Sequence, residues 1–214
     1  MLAAAAGLAL IAYGWFAPVP GARASESREF SSQETALLRA GKLVVRPEQR
    51  TLGGAHVMGG LSWQVVRATP ATVWRAMTDV HAYARFLPAV EEARLIEAIG
   101  PTRAVFVRHR LGFISGSYVV RLAHDSAHGR IRFRLDHDYP SSLRDAWGEI
   151  SVSPYTSNIP GRRAELAPGQ QSVVSLAIMA DVGEGLIVGL VRSNVHEWML
   201  RVPEQLKRYV EGRR

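Results

Sequence analysis

The stretch from Thr69 to Ile96, TPATVWRAMTDVHAYARFLPAVEEARLI, constrains the fold more than any other part of the chain. Thr69 is suited to accept from the first unpaired backbone N–H groups of a helix, and Pro70 is pre-set for the first helical position. Val73, Trp74 and Met77 give the short segment that follows an apolar side. Asp79 can cap a second short helix through Tyr83 and Phe86, which Pro88 closes. A strand-like run begins at Val90. Just upstream, His56 to Ala68 alternates, with Leu61, Trp63 and Val65 on one face and Ser62 and Gln64 on the other. A long strand, two short helices and a return to strand make an uncommon opening for a domain.

Three further runs alternate with period 2. Val105, Val107, His109 and Leu111 oppose Arg108 and Arg110. Tyr118, Val120, Leu122 and His124 oppose Arg121. Ile131, Phe133, Leu135 and His137 oppose Arg130, Arg132, Arg134, Asp136 and Asp138. Consecutive strands of this kind predict an antiparallel sheet wet on one side. Gly100-Pro101, Gly112–Gly116 and His128-Gly129 mark the turns between them. Arg144–Val152 and Ser172–Asp181 complete a sheet of about seven strands. The connection from Ser153 to Gln170 is long, and loops above ~12–15 residues are usually functional or disordered, so a mobile loop is expected. From Gly183 to Glu211, apolar residues at Ile187, Val191, Val195, Trp198, Val202, Leu206 and Tyr209 recur every three or four positions and predict a long amphipathic helix. Pro203 removes one of its hydrogen bonds, which places a kink near Met199–Val202. The fold class is α+β: the sheet must cover its apolar face, and this helix is the only element long enough.

The block VVRATPATVWRAMTDVHAYARFLPAVEEARLIE resembles the opening of the START/polyketide cyclase/coenzyme Q-binding (SRPBCC, birch-pollen-allergen-like) superfamily, through Pro70, Val73-Trp74, Asp79, Tyr83, Phe86-Leu87-Pro88 and Val90. The resemblance extends more weakly over Gly54 to Glu211. It implies a helix-grip fold, a sheet wrapped around the C-terminal helix with a ligand cavity between them. It does not imply one function, because the superfamily hosts binding proteins, transporters and cyclases on one scaffold. Coenzyme Q binding belongs to one branch and does not transfer on the Phe-Leu-Pro motif.

The N-terminus is a separate object. Leu2 to Phe16 is apolar, Pro18 and Pro20 break it, and Ala22-Arg23-Ala24 offers small residues at a signal-peptidase site. The run is shorter than the ~20 residues a spanning helix needs, and no basic stretch precedes it. Residues 1–24 therefore read as a signal peptide or a retained membrane anchor, unless the start is misassigned. Either of the first two puts the domain in an extracytoplasmic (periplasmic or secreted) space. Residues 25–53 read as a linker, a short helix and a short strand, and residues 54–214 as the START-like ligand-binding domain.

The 214 residues suit one domain. The absence of cysteine excludes disulfides, thiolate metal sites and thiol catalysis. The formal net charge is +7, with only Lys42 and Lys207 as lysines; the arginine excess reflects either coding bias or an anionic partner. There is no nucleophile elbow, Gly-rich phosphate loop or metal-ligand spacing, so no cofactor or metal is expected. His109, His124 and His137 fall on the apolar faces of their strands. Each is either a polar group inside the cavity, able to act as acid or base, or a strand-end residue bonded to backbone or water. His109 lies deepest, and with Tyr118 it is the candidate for catalysis. The candidate ligand-binding wall is Leu61, Trp63, Val107, His109, Tyr118, Leu122, Phe133, Val191, Val195 and Trp198.

Three functions follow as expectations. The first is binding or transport of a hydrophobic small molecule or lipid. The alternative is a polyketide cyclase/dehydratase-like enzyme using the cavity His and Tyr. A filled core with an interaction role is a third. Arg108, Arg110, Arg121, Arg132 and Arg134 form an outer stripe that is either a solvated, edge-protecting face or a dock for anionic lipid or an acidic protein. Nucleic acid is not expected, since that face lacks aromatic side chains in this reading.

Overall fold

The computed structural model describes residues 29–111, 114–155, 169–183 and 197–212. It shows eight antiparallel strands in one sheet, β1 (Val44–Leu52), β2 (Ala55–Val66), β3 (Val90–Ile99), β4 (Thr102–Leu111), β5 (Ile114–Asp125), β6 (Arg130–Leu135), β7 (Asp145–Pro154) and β8 (Ser172–Asp181). Their spatial order is β1-β2-β8-β7-β6-β5-β4-β3. The added strand relative to expectation is β1, foreseen only as a short strand outside the domain. It pairs with β2 along its whole length through the turn at Gly53-Gly54, so the boundary drawn after residue 53 runs through a hairpin.

The helical block forms as its caps dictate. Helix α1 (Ser32–Arg39) carries a capping box, with Ser31 and Glu34 satisfying each other's backbone N–H groups. In α2 (Pro70–Thr78), Thr69 Oγ1 accepts from Thr72 N at 3.3 Å and Pro70 opens the first turn. Asp79 Oδ1 accepts from His81 N at 3.1 Å and starts a 3-10 turn, Val80–Ala82, that runs into α3 (Tyr83–Phe86). At the C-terminus a helical turn at 197–200 breaks at Arg201 and resumes as α4 (Val202–Glu211). The break falls where Pro203 placed it. Among the described residues no helix is long and apolar enough to cross a membrane.

The main core lies between the sheet and these helices. Val73, Met77 and Phe86 meet Val105, Val120, Leu122 and Ile131 of the sheet, and Leu206 and Val210 of α4 close the layer. The inward register of β4, β5 and β6 is the expected one, since Val107 pairs with Tyr118, Val105 with Val120 and Leu122 with Phe133.

β2 is the exception. Val66 lies in the main core, and Ser62 and Gln64, paired with Leu176 and Val174, share its inward face. Leu61, Trp63 and Val65 turn outward and pack with Leu38 of α1 and Val44 of β1. The physical reason is that β2 is covered on both sides. Arg46 makes a two-bond pair with Glu34, both contacts at 2.7 Å, and lies 5.1 Å from the Trp63 ring. That guanidinium is the first cause holding the Glu34 carboxyl down to about 2. Inside, the Gln64 amide donates to the Gly41 carbonyl at 2.8 Å, and Lys207 of α4 donates to the same oxygen at 2.8 Å. One carbonyl thus ties α1, β2 and α4 together.

β6 ends at Leu135, three residues earlier than the alternation suggested. Asp136 is therefore fully buried and paired with Arg121 at 2.8 Å, where pairing in solvent was expected. Arg121 also meets Glu97, Arg110 lies 3.1 Å from Glu91, and Arg108 pairs with Glu91 and Glu92. The arginine stripe is thus answered at these three positions by carboxylates, most of them on β3, and membrane docking through it has no support. The outer face is also not free of aromatics, because Phe106 lies there under Arg94 at 4.6 Å.

Candidate functional site

An apolar pocket of about 430 Å³ lies between sheet and helices. The sheet supplies Val120, Leu122, Ile131, Phe133, Ile150, Leu176 and Ile178. The short helices supply Met77, Tyr83 and Phe86, and the C-terminal segment supplies Trp198, Met199 and Val202. Polar groups gather at one wall, where β4 and β5 approach the Phe86–Ala89 turn: His109 and Tyr118 within, Ser115 and Ser142 at the rim.

The geometry of that wall begins in the backbone. Ala89 has φ 56°, a left-handed conformation that costs a non-glycine residue ~1–2 kcal/mol. Its carbonyl accepts from Arg110 N at 2.9 Å, which fixes the turn against β4. The neighbouring Pro88 carbonyl is thereby presented to His109 Nδ1 at 3.2 Å. On the other side of the ring, His109 Nε2 lies 2.6 Å from Tyr118 Oη. A carbonyl only accepts, so Nδ1 must carry the proton, and Nε2 is then the acceptor for the Tyr118 O–H. Burial lowers the His109 pKa, and the Pro88 carbonyl opposes this only in part. The imidazole is neutral near pH 7. Burial also raises the Tyr118 pKa well above its ordinary value. Tyr83, likewise raised by burial and by the Asp79 charge, donates to the Met77 carbonyl at 2.9 Å.

Of the residues expected on this wall, Val107, His109, Tyr118, Leu122, Phe133 and Trp198 line the pocket. Leu61 and Trp63 do not; they belong to the outer cluster under α1. Val191 and Val195 lie outside the described residues with the whole 184–196 part of the expected helix, as do residues 1–24, Phe113 and most of the 153–170 connection. The three histidines do not converge. His124 packs edge-on to Trp74 at 6.1 Å, and its pKa is lowered by burial and then by Arg103. His137 sits past the end of β6, 3.4 Å from Asp145. Among the described residues no three His, Asp or Glu side chains are grouped to hold a metal ion. The sequence reading missed Tyr83, Pro88 and Ala89 as pocket residues, although Tyr83 and the Phe-Leu-Pro motif that ends at Pro88 belonged to the family signature.

The profile of the family described as "Polyketide cyclase / dehydrase and lipid transport" matches residues 62–211. The chain belongs to this family. No curated protein matches it in sequence. Among solved structures, the polyketide cyclase / dehydrase and lipid transport fold recurs in a STAR-related lipid transfer protein from Xanthomonas axonopodis, with TM-score 0.58 and 13% identity over 79% of this chain and 98% of the other. The Zhui aromatase/cyclase from Streptomyces sp. R1128 gives 0.56 and 14% over 79% and 96%. A Thermus thermophilus protein gives 0.56 and 16% over 72% and 97%. At these identities the likeness concerns the fold. The family's description spans lipid transport and cyclase chemistry together.

Proposed function

We propose that this protein binds or carries a hydrophobic small molecule or lipid in the pocket between its sheet and its C-terminal helix. The observation that carries this reading is the pocket itself: about 430 Å³, apolar on all sides except the His109–Tyr118 wall. Its size falls in the range of small-molecule sites, which are mostly apolar with a few placed polar groups. Apolar burial at ~25 cal/mol per Å² would drive uptake, and the polar wall would orient the guest. The lipid transfer relative from Xanthomonas axonopodis supports the same reading through its shared fold. The test is uptake of an apolar fluorescent probe by the purified protein. Leu122→Arg, which puts a charge into the pocket wall, should abolish uptake in a folded variant. Retained binding would refute the reading.

A second reading rests on the same wall. A neutral imidazole hydrogen-bonded to a phenol is a proton-transfer pair, and a cyclase-type activity would use it. As an enzyme, His109→Ala should lose ~10²–10⁴ in turnover; as a carrier, it should change affinity modestly. The apolar extent of the pocket favours the carrier. We propose further that the domain works outside the cytoplasm, with residues 1–24 as export signal or anchor. N-terminal sequencing of the natural protein tests this, and a mature chain recovered in the cytoplasmic fraction would refute it.

A further inference from the structure

The polar wall has a direction, which deepens the binding reading above and rests on it. The polar hydrogens of its imidazole and of the pocket phenols are committed to protein acceptors. His109 Nδ1–H goes to the Pro88 carbonyl at 3.2 Å, the Tyr118 O–H goes to His109 Nε2 at 2.6 Å, and the Tyr83 O–H goes to the Met77 carbonyl at 2.9 Å. A phenol that has donated its proton keeps acceptor capacity. Among the described residues no group donates to Tyr118 Oη, and the tyrosine lines the pocket. The relay therefore shows the pocket a lone pair and withholds a proton. The orientation is imposed by the backbone of the turn: the Pro88 carbonyl cannot donate, so it sets the imidazole tautomer, and the tautomer sets the phenol. Ala89, held left-handed beside it, keeps that carbonyl in place.

We propose that this wall selects apolar ligands bearing a hydrogen-bond donor, a hydroxyl of the phenol or alcohol class, over ligands that present a carbonyl or ether oxygen to it. A hydroxyl gains a bond to Tyr118 Oη. A carbonyl oxygen meets another lone pair and loses the water it had. The rim serines lie apart from this relay: Ser115 and Ser142 are exposed, and Ser142 Oγ accepts from Ser117 N at 3.0 Å.

The experiment uses the full-length protein and three probes of one ring system, 2-naphthol, 2-methoxynaphthalene and 2-acetylnaphthalene, with affinities measured by titration calorimetry. In the wild type 2-naphthol should bind most tightly. In His109→Leu the Tyr118 proton is released toward the pocket, and the affinity ratio of naphthol to acetylnaphthalene should fall ~10-fold, the worth of one hydrogen bond gained by the ketone. A ratio unchanged in a folded His109→Leu protein, or a wild type that prefers the ketone, overturns the proposal. If that variant does not fold, ¹⁵N spectra of the wild-type histidine rings decide: His109 should carry its proton on Nδ1 with Nε2 bare, and the opposite tautomer overturns the proposal. Failure of all three probes to bind would instead overturn the reading of the pocket as a ligand site, and the donor preference with it. Binding without preference overturns the donor preference alone.

Discussion

Gly148 sits on β7 directly opposite Phe133 of β6, with the ring of Phe133 filling the space where a side chain would be. A Cβ added there would lie 2.2 Å from the Ala177 carbonyl oxygen and 2.4 Å from Phe133 Cζ. Ordinary contact begins near 3.4 Å, so the β7–β8 ladder must yield by about 1 Å or the ring must leave. Phe133 lines the pocket, so a displaced ring takes guest space, while the Ala177 oxygen belongs to the backbone of the sheet. Overpacking of this kind costs ~1–3 kcal/mol. For a protein of this length ~2 kcal/mol lowers the melting temperature by ~4–8 °C. Gly148→Ala should therefore melt that much lower by circular dichroism and bind an apolar probe more weakly, because Phe133 encroaches on the guest's space. A melting temperature within about 1 °C of wild type, with full probe affinity, would show that the strand spacing reasoned from here is wrong.

The strained turn gives a change of the opposite sign. Ala89→Gly should stabilise the protein by ~0.5–1 kcal/mol, the left-handed cost relieved less the entropy glycine adds to the unfolded chain, and a lower melting temperature would refute the strain. His109 and His124 both have pKa values lowered below 6.5 by burial. The unfolded chain then binds more protons just below that value, so their contribution to stability is complete above pH 6.5 and is lost as pH falls through the lowered pKa values. Thermal melts between pH 7.5 and pH 5.5 should show this fall, and His109→Leu should make the profile shallower; a flat wild-type profile would refute it. Glu34, whose pKa is lowered to about 2 by Arg46, contributes with the same sign but in a lower window, from its usual range near 4.5 downward. Arg46→Met should remove that acid-side slope, and an unchanged profile below pH 4.5 would refute the role given to this pair.

The candidate site was legible where one strand face alone was buried. Val107, His109, Tyr118, Leu122 and Phe133 alternate with arginines, and water on the arginine side left one arrangement open to them. Leu61 and Trp63 alternate just as cleanly but face outward. Periodicity separates two faces of a strand without saying which meets the pocket, and where both are covered the apolar one need not be inside. Asp136 was misplaced for a related reason: alternation was carried past Leu135, and the chain leaves the ladder there.

What the sequence determined by itself was local and periodic. Thr69-Pro70 and Asp79 start their helices through bonds within three residues, Pro203 interrupts the C-terminal helix by removing its own N–H, and the alternating runs mark where the strands lie. What only the tertiary structure decided was pairing across long separations. The Gly41 carbonyl accepts hydrogen bonds from Gln64 and Lys207, residues far apart in the chain, and so turns the polar face of β2 inward. Pro88, 21 positions before His109, fixes the proton of that imidazole, and through it the direction in which Tyr118 faces a guest. No pattern of residue types encodes such contacts, because each depends on where a carbonyl points after the chain has folded.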